Sequence, residues 1–447
     1  MSDATSESTS IKSTPKTIWS NWAGNVECSV TGIFYPKTEA EVQAVIQQAK
    51  TEKKKIRVVG SGHSFSPVIA TNDYILSLVE LKGIINIDKQ KKQATIWAGT
   101  SIKEANEQLF EAGLALINLG DIDVQSVGGA TATGTHGTGI TFGNVSTEIV
   151  DFTLLTASGE LLQCDANTNP TIFAAGRVSL GVLGIVTKIT LRLDEAYKLE
   201  YTCKAGNFEE TLENLEAYNN SNRNFEYYYF PYSETLQLKL SNKSEKTVKH
   251  NKFLAHINDV FLENTALEAA CRFGVTFPKM YQRISRAMSK SFPKGTKVNY
   301  SHQIYATVRN VRFKEMEYNI PMEHFKEVMT KMKAIIEEKQ YQIFFPAECR
   351  FVKGDDIWLS PAYGRDSAYI AVHVYHQQEH NPYFSDLEEL FTQYGGRPHW
   401  GKMHTRTAEY LSRNYDKFQD FQLLRQQLDP DNMFLNEHLA GIFGVAI

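Results

Sequence analysis

The sequence predicts an α+β fold in which helices interrupt a set of mixed strands. A capped segment with apolar residues on one face predicts a helix over residues 38–53. Apolar side chains at every second position predict a strand over residues 185–193. Hydrophobic residues make up 42% of the 447-residue chain, which is enough for a large core and excludes a wholly disordered protein.

Charge and composition exclude several classes of function. Lys plus Arg number 47 and Asp plus Glu 51, so the net charge of −4 argues against a basic footprint for nucleic acid. No run of about 18 apolar residues predicts a membrane-spanning helix. The five cysteines form no CxxC pair and are expected to be free thiols. Because the N-terminus also lacks the apolar core of a secretory signal, we expect a cytoplasmic protein.

The first half of the chain contains the best-defined elements. Residues 1–16 are rich in Ser and Thr and are expected to form a flexible tail. The first helix starts at Thr38-x-x-Glu41, a capping-box pattern, and a second helix starts with the same pattern at Ser101 and ends near Gly113. The predicted strands here cover residues 57–59, 149–157 and 160–164, and the inward helical residues are Val42, Val45, Ile46, Ala49, Ile102, Ala105 and Leu109.

The composition changes after about residue 194. Residues 240–255 are rich in Lys and Ser and predict a surface loop. Residues 253–290 have helical periodicity, and we expect this amphipathic segment to face the core rather than a membrane surface. Strands are predicted near 343–375, and helices over 384–394 and 405–428.

Two glycine motifs and one group of histidines resemble known binding sites, but each lacks a feature that its site requires. Gly60-Ser-Gly62 begins like a dinucleotide fingerprint, yet the third glycine is missing and Pro67 prevents a long helix from starting there. Residues 396–402 have the spacing of a phosphate loop, but Met403 replaces the magnesium-binding hydroxyl. Three histidines near a strand end do not share a face, so no metal site is expected at His373, His376 and His380.

Two glycine-rich segments remain, at residues 59–64 and 126–139. Loops of this composition let backbone N–H groups converge on an anion, and the Ser and Thr hydroxyls add donors. The alternative for each is a tight turn packed on a neighbouring strand. Because the chain contains two such segments, each bracketed by strands, the sequence indicates a cofactor that carries a pyrophosphate. His63 lies in the first segment, where it either reaches the ligand or is a surface turn residue.

These segments resemble the FAD-binding domain of the vanillyl-alcohol oxidase / p-cresol methylhydroxylase superfamily. The closer similarity is to its sugar-1,4-lactone oxidases and alditol oxidases, and it covers nearly the whole chain. The motifs that carry the resemblance lie in order at residues 19–24, 58–65, 118–120, 128–139, 181–187, 348–350, 355–361 and 399–402.

The resemblance implies a fold and an activity. A two-subdomain FAD-binding domain of the p-cresol methylhydroxylase type is expected over residues 17–193, and a substrate-binding cap domain with an antiparallel sheet over 194–404. Residues 405–447 would return to the FAD domain. The implied reaction is FAD-dependent oxidation of a sugar-1,4-lactone, such as D-arabinono- or L-gulono-1,4-lactone, with oxygen as the expected acceptor. The alternatives are an alditol oxidase, a lactone dehydrogenase with another acceptor, and a binding protein that has lost its chemistry.

The resemblance also implies which residues form the cofactor site. His63 would be bonded covalently to the flavin 8α carbon. Gly120 would leave a passage for oxygen, although it could serve only a tight turn, and Asp121 favours a lactone substrate over an alditol. The residues expected to bind FAD are Val59, Gly60, Ser61, Gly62, His63, Ser64, Gly120, Asp121, Ser126, Gly128, Gly129, Thr133, Gly134, Thr135, His136, Gly137, Ile185 and Val186.

The expected catalytic residues are Glu348, Arg350, His373 and Lys402. Glu348 and Arg350 are two positions apart on a predicted strand, so they share a face, where they form either a substrate site or an ion pair on a solvated surface. His373 is placed away from the apolar face of its strand and could meet substrate hydroxyls. By the resemblance, Glu348 and Arg350 would orient substrate oxygens and Lys402 would stabilise anionic reduced flavin.

Overall fold

The computed structural model describes residues 11–248, 266–306 and 311–446. The first sheet contains four strands in the order β1-β2-β4-β3. β1 is antiparallel to β2, whereas β2, β4 and β3 run parallel. The strands are β1 (Ser13–Ser20), β2 (Glu27–Phe34), β3 (Ile56–Val59) and β4 (Tyr74–Ser77).

The second sheet is antiparallel and has the order β5-β6-β10-β8-β9, with β7 paired to the end of β10. Its long central strand is the one that the alternation predicted. The strands are β5 (Ile84–Asp88), β6 (Gln93–Trp97), β7 (Leu114–Leu116), β8 (Ile149–Leu155), β9 (Leu161–Asp165) and β10 (Ile185–Glu195).

The third sheet is formed by the second half of the chain and is antiparallel throughout. Its order is β14-β11-β13-β12-β16-β17-β15-β18. The predicted α+β class with an antiparallel cap sheet is therefore confirmed. The strands are β11 (Lys198–Asn207), β12 (Asn224–Tyr229), β13 (Thr235–Lys243), β14 (Gly295–Tyr300), β15 (Phe313–Pro321), β16 (Ala347–Val352), β17 (Ser367–Tyr375) and β18 (Arg397–Pro398).

Helices connect and cover these sheets. Within the described residues, none of them is both long enough and apolar enough to cross a membrane. They are α1 (Glu39–Glu52), α2 (Ile102–Glu111), α3 (Val127–Ala132), α4 (Pro170–Gly176), α5 (Phe208–Glu213), α6 (Leu215–Ser221), α7 (Ala266–Thr276), α8 (Tyr281–Ser291), α9 (Ser301–Tyr305), α10 (Phe325–Lys339), α11 (Tyr383–Gln393), α12 (Ala408–Asn414), α13 (Phe418–Leu428) and α14 (Glu437–Phe443).

Local sequence signals set the starts of the first two long helices. At α2 the capping box is complete, because the Ser101 hydroxyl accepts from the Glu104 N–H and the Glu104 carboxylate accepts from the Ser101 N–H. At α1 only half of the predicted box forms. Thr38 caps the Glu41 N–H, but the Glu41 carboxylate accepts from the Lys37 N–H instead. The seven residues predicted to face inward on the two helices are buried.

The C-terminal helices pack into the core of the first two sheets. Leu411, Phe421 and Phe434 belong to the same buried cluster as Val45 and Ile189. Part of the core of the first two sheets thus comes from residues distant in sequence. The domain boundaries near residues 193 and 404 stay predictions.

A buried arginine also joins the C-terminal segment to the glycine-rich half of the chain. The Arg57 guanidinium donates to the carbonyl oxygens of Val68 and Leu180 at 2.8 and 2.6 Å, and to that of Phe434. Because a buried guanidinium needs several acceptors, these carbonyls hold three distant segments around one side chain.

Three local predictions were wrong in part. Residues 13–16, expected in the flexible tail, lie in β1, because the edge of β2 supplies them with backbone partners. Residues 240–243, expected in a surface loop, extend β13, and residues 249–265 lie outside the described residues. The predicted helical segment 253–290 contains α7 and α8, separated by a turn at Pro278.

Candidate active site

An elongated cavity lies between the two glycine-rich segments and the start of β10. It has about 1070 Å³ of empty volume, part of which is open to solvent. One side consists of backbone and hydroxyl groups, and the other is apolar. The lining residues include Val58, Val59, Gly60, Ser61, Gly62, His63, Ser64, Gln125, Ser126, Gly128, Gly129, Thr131, Thr133, Ile149, Phe152, Arg177, Leu180, Gly181, Ile185, Val186 and Ile189.

Glycine is required where the two segments approach each other. A Cβ added to Gly60 would overlap the Ser126 hydroxyl, and one added to Gly128 would lie 2.9 Å from the Ala98 side chain. The second segment is not the continuous loop that we predicted, because residues 127–132 form the short helix α3. Ser126 caps it by accepting from the Gly129 N–H at 3.2 Å.

The lining of the cavity fits FAD. Backbone groups that no Cβ shields, together with Ser and Thr hydroxyls, suit the pyrophosphate. The apolar side chains suit the ring systems. Of the residues expected to bind FAD, twelve line the cavity, namely Val59, Gly60, Ser61, Gly62, His63, Ser64, Ser126, Gly128, Gly129, Thr133, Ile185 and Val186.

The other six expected cofactor residues do not line this cavity. Gly120, Asp121, Gly134, Thr135, His136 and Gly137 follow β7 or α3 on the side that faces the third sheet. A Cβ at Gly120 would lie 3.0 Å from the His136 carbonyl oxygen and 3.8 Å from the Arg350 guanidinium. These residues therefore lie between the cavity and the polar face of the cap sheet.

His63 lies at the end of the cavity nearest the cap. Its ring stacks on Trp22, with the centroids 5.2 Å apart and the planes at 21°. Burial and the charge of Lys402 lower the pKa of His63 to about 4. The imidazole is therefore neutral at neutral pH and has a nitrogen lone pair.

Alternation along the strands places the predicted catalytic residues on one buried face of the cap sheet. Arg350 on β16 lies opposite Tyr369 on β17, and Glu348 lies opposite Ala371. Glu348 and Arg350 are each only 8% exposed. The alternative of an ion pair on a solvated surface is therefore excluded, and the pair lies in the interior, where the third sheet meets Asp121.

Arg350 is surrounded by three carboxylates. Its guanidinium lies 3.2 Å from Asp121, 3.0 Å from Glu226 and 2.5 Å from Glu348. Burial raises the pKa of Glu348 above its ordinary value, against the opposing charge of Arg350, and Asp121 and Glu226 add repulsion. Glu226, by contrast, has a lowered pKa, because the charges of Lys239 and Arg350 outweigh its burial.

Lys402 and His373 share a carboxylate that the sequence analysis missed. The two Glu315 oxygens lie 2.5 Å from the Lys402 amine and 3.4 Å from His373 Nε2. Burial would raise the pKa of Glu315, but the charges of Lys402 and His373 lower it to about 2. Burial lowers the pKa of Lys402, and Glu315 and Glu317 more than compensate, so it lies above its ordinary value.

A second missed carboxylate, Glu317, pairs with His136. His136 Nε2 lies 3.1 Å from Glu317, and Nδ1 lies 2.9 Å from the Gly137 carbonyl oxygen. Both ring nitrogens of His136 therefore face hydrogen-bond acceptors. Tyr369 stacks on this ring, with the centroids 3.6 Å apart. Glu315 and Glu317 alternate on β15, and that alternation is the signal that could have identified both residues.

The same place contains a trio of possible metal ligands. The ligand atoms of His136, Glu317 and His399 lie within 4.8 Å of one another, the one such group among the residues described. Burial lowers the pKa of His399 to about 4, and its Nδ1 accepts from the Gly401 N–H at 3.1 Å. The neutral ring therefore carries its hydrogen on Nε2, so the trio favours hydrogen bonding over metal binding.

Aromatic rings connect the polar face to the cavity. Phe313 packs against His373 and Trp22, at centroid distances of 5.2 and 5.6 Å, and Trp22 stacks on His63. The Lys402 amine lies 5.1 Å from the Phe65 ring centre. These contacts link the lining of the cavity at His63 to His373 and Lys402 of the charged cluster.

Two comparisons with protein families agree with this site. Residues 30–165 match a family of FAD-binding domains, and residues 189–442 match a family described as D-arabinono-1,4-lactone oxidase. With the cavity and the charged face, they define an FAD-dependent oxidoreductase. The chain belongs to the D-arabinono-1,4-lactone oxidase family, which confirms the resemblance found in its motifs.

Individual relatives match over nearly their full lengths. The chain is 37% identical to L-gulono-1,4-lactone dehydrogenase of Mycobacterium tuberculosis, over 96% of this chain and 99% of that protein. It is 33% identical to L-gulonolactone oxidase of Bos taurus, over 95% and 97%. A cholesterol oxidase structure from B. sterolicum superposes with a TM-score of 0.84 over 97% of each chain, at 16% identity, which is a likeness of fold.

The low pKa of Glu315 predicts how acid affects stability. Its ordinary value is 4.5, so ionised Glu315 contributes stability above about pH 4.5 that is lost as the pH falls toward about 2. We expect Glu315→Gln to lower the free energy of unfolding by on the order of 2 kcal/mol at neutral pH, with the difference from wild type shrinking in acid. Thermal melting across this pH range measures the difference, with exposed Glu409→Gln as the control. A difference that is constant with pH would show that Glu315 is not the ionised partner.

Proposed function

We propose that this chain uses FAD to oxidise a sugar-1,4-lactone, such as D-arabinono- or L-gulono-1,4-lactone. The observation that carries the proposal is the buried group of Arg350, Glu348, His373 and Lys402 at the His63 end of the FAD cavity. A polyhydroxylated substrate needs several convergent hydrogen-bonding groups in a site that excludes water. Family membership and the names of the relatives support a lactone as that substrate.

Arg350 and Glu348 bind and orient the substrate. Arg350 has five N–H donors, and neighbouring carboxylates hold its fork in place, so it presents donors in a fixed direction. Glu348, with its raised pKa, can donate a hydrogen bond as a neutral acid or accept one as a carboxylate. The pair therefore recognises a carbonyl or ring oxygen beside a hydroxyl, as an aldonolactone has at C1 and C2.

His373 accepts the proton that the substrate loses. The Pro346 carbonyl oxygen, 2.9 Å from Nδ1, holds the ring hydrogen there, so the neutral ring has its lone pair on Nε2. Glu315, 3.4 Å from Nε2, stabilises the imidazolium that forms when the proton arrives. The proton comes from a substrate hydroxyl, and when bound, FAD would supply the acceptor for the hydride that leaves the carbon bearing that hydroxyl. Lys402 provides a positive charge at the His63 end of the cavity. There it would stabilise the negative charge of reduced flavin.

An alditol oxidase is the second candidate, because an alditol presents similar hydroxyls to the same residues. By the resemblance, Asp121 favours the lactone, and its contact with Arg350 at 3.2 Å places it in the proposed substrate group. The acceptor is dioxygen or, as in a dehydrogenase, another compound. We also propose a cytoplasmic location, which the five free cysteines support.

A substrate panel tests the activity. We expect aldonolactones to bleach the flavin absorption under anaerobic conditions at rates that alditols do not approach. The same panel is run with Lys402→Met. At saturating substrate, the flavin of this variant should be reduced at least about tenfold more slowly than that of wild type. This difference separates chemistry at the site from nonspecific reduction of the flavin. Faster reduction by alditols than by any lactone would make alditol oxidation the better description.

We further propose that His63 attaches FAD covalently through the flavin 8α carbon. The neutral imidazole, partly exposed at the end of the cavity, supports this role. In His63→Ala we expect a folded protein whose flavin is released on acid precipitation, whereas flavin stays with the wild-type precipitate. His380→Ala, outside the cavity, is the control. Flavin that remains bound to denatured His63→Ala would place the link elsewhere.

Gly120 supports dioxygen as the acceptor. Its φ is not positive, so alanine fits the backbone, and the added Cβ would lie 3.0 Å from the His136 carbonyl oxygen. We expect Gly120→Ala to slow reoxidation of the reduced enzyme by oxygen at least about tenfold, because a methyl group narrows the passage. Gly441→Ala, whose Cβ would meet no atom within 4 Å, is the control in stopped-flow mixing with oxygen. Unchanged reoxidation would leave Gly120 as a turn residue and favour the name dehydrogenase.

A further inference from the structure

The segment formed by α7, α8 and the residues that follow them carries an unusual charge. Residues 266–297, which we call the basic hairpin, contain seven Lys and Arg and one acid. Their net charge is +6 in a chain whose total is −4. The single acid, Glu268, pairs with Arg272 at 2.8 Å. The basic residues are Arg272, Lys279, Arg283, Arg286, Lys290, Lys294 and Lys297.

The basic hairpin also presents apolar side chains to solvent. Phe273 is 46% exposed, Val275 37% and Phe277 52%. The two phenylalanines lie one helical turn apart and contact each other, with ring centroids at 4.9 Å. The other large hydrophobic side chains exposed in the described part of the chain are scattered singly in sequence. Exposed aromatic residues in one cluster indicate a binding surface, whereas single ones need no explanation.

Burial on the opposite side fixes the orientation of the basic hairpin. Cys271 of α7 and Tyr281 of α8 are buried in a small cluster with Phe344 and Tyr375. Tyr281, Ser285 and Ser289 form the buried side of α8, which confirms the predicted core-facing packing for that side. Arg283, Arg286 and Lys290 are exposed and recur at the spacing of one helical face. The outer surface therefore combines a cationic helix face with an exposed aromatic pair.

We propose that the basic hairpin docks this enzyme onto a membrane surface rich in anionic phospholipid. Lys and Arg side chains would contact the headgroup phosphates, while Phe273, Val275 and Phe277 enter the boundary between headgroups and acyl chains. A cluster of this size binds anionic lipid electrostatically, and inserted apolar residues add a part that salt does not screen. The exposed apolar residues favour a lipid surface over a nucleic acid, because a polyanion offers them no apolar phase.

Docking in this orientation has a structural consequence for the active site. The cluster beneath the basic hairpin includes Phe345, and Phe313 packs against it. Both rings also pack against His373, at centroid distances of 6.5 and 5.2 Å. Phe345 and Phe313 therefore link the buried side of the basic hairpin to His373, the residue proposed as proton acceptor.

Vesicle flotation with the flavin-loaded protein tests the proposal. We expect the protein to float with phosphatidylcholine vesicles that contain phosphatidylserine, and to stay behind with vesicles of phosphatidylcholine alone. Raising the salt concentration should weaken the binding. Phe273→Ser combined with Phe277→Ser should reduce binding at least about tenfold, because the salt-independent part is lost. Arg283→Gln combined with Lys290→Gln should reduce both the binding and its dependence on salt.

Matched controls separate the basic hairpin from the surface in general. Leu423, 61% exposed on α13, supplies the apolar control Leu423→Ser, and exposed Lys89→Gln supplies the charge control. Neither control should change flotation, and all variants should keep the wild-type melting temperature, because the altered side chains are exposed. The proposal is overturned if wild type does not float with phosphatidylserine vesicles, or if the phenylalanine variant floats as wild type does. Retention on heparin without vesicle binding would identify a polyanion site instead.

Discussion

Ion pairs that cross from the FAD-binding part of the chain to the third sheet constrain how these two parts of the enzyme pack. The FAD domain contributes His136 and Asp121, and the cap sheet contributes Glu317 and Arg350, and the two pairs cross the boundary between them. A charge buried without a partner costs several kcal/mol, so neither domain can turn this face to the other unless both sets are in register. The same few ion pairs therefore constrain the register of β16, β17 and β15. They also constrain the path of the segment after α3.

Pairing also sets the protonation state of each group in the site. Burial would raise the pKa values of Glu315 and Glu317, but the basic side chains against them lower both. For Glu348 burial outweighs the charge of Arg350, and the repulsion of Asp121 and Glu226 adds to it, so the pKa rises. Histidine follows the opposite rule, since burial without a carboxylate contact keeps His63 neutral. A site of this kind can supply a fixed positive charge, a proton acceptor and a neutral donor at one pH, because the environment separates groups with similar ordinary pKa values.

The sequence predicted the elements that local patterns determine. Periodicity and capping residues gave α1 and α2, and alternation gave β10 and the shared face of Glu348 and Arg350. It did not predict β15 or its two glutamates, although they alternate, because the partners that make acidic residues favourable inside a buried strand lie far away in sequence. The partners, Lys402 and His136, are 87 and 181 residues away. The helical form of residues 127–132 was missed because its glycines predict a loop, and packing against Ala98 overrides that propensity.

The two halves of the site are also built from different chemical groups, and this division bears on how the family varies. Part of the cavity lining is backbone, and a side chain at Gly60 or Gly128 would overlap Ser126 or crowd Ala98, so these positions tolerate little change. The cap contributes side chains on strands whose backbone pairing does not depend on their identity. Substituting one residue on that face changes the substrate contacts while the sheet remains intact, provided that each buried charge keeps a partner. Substrate preference can therefore shift through paired substitutions on β15, β16 and β17 without any change in how the cofactor is held.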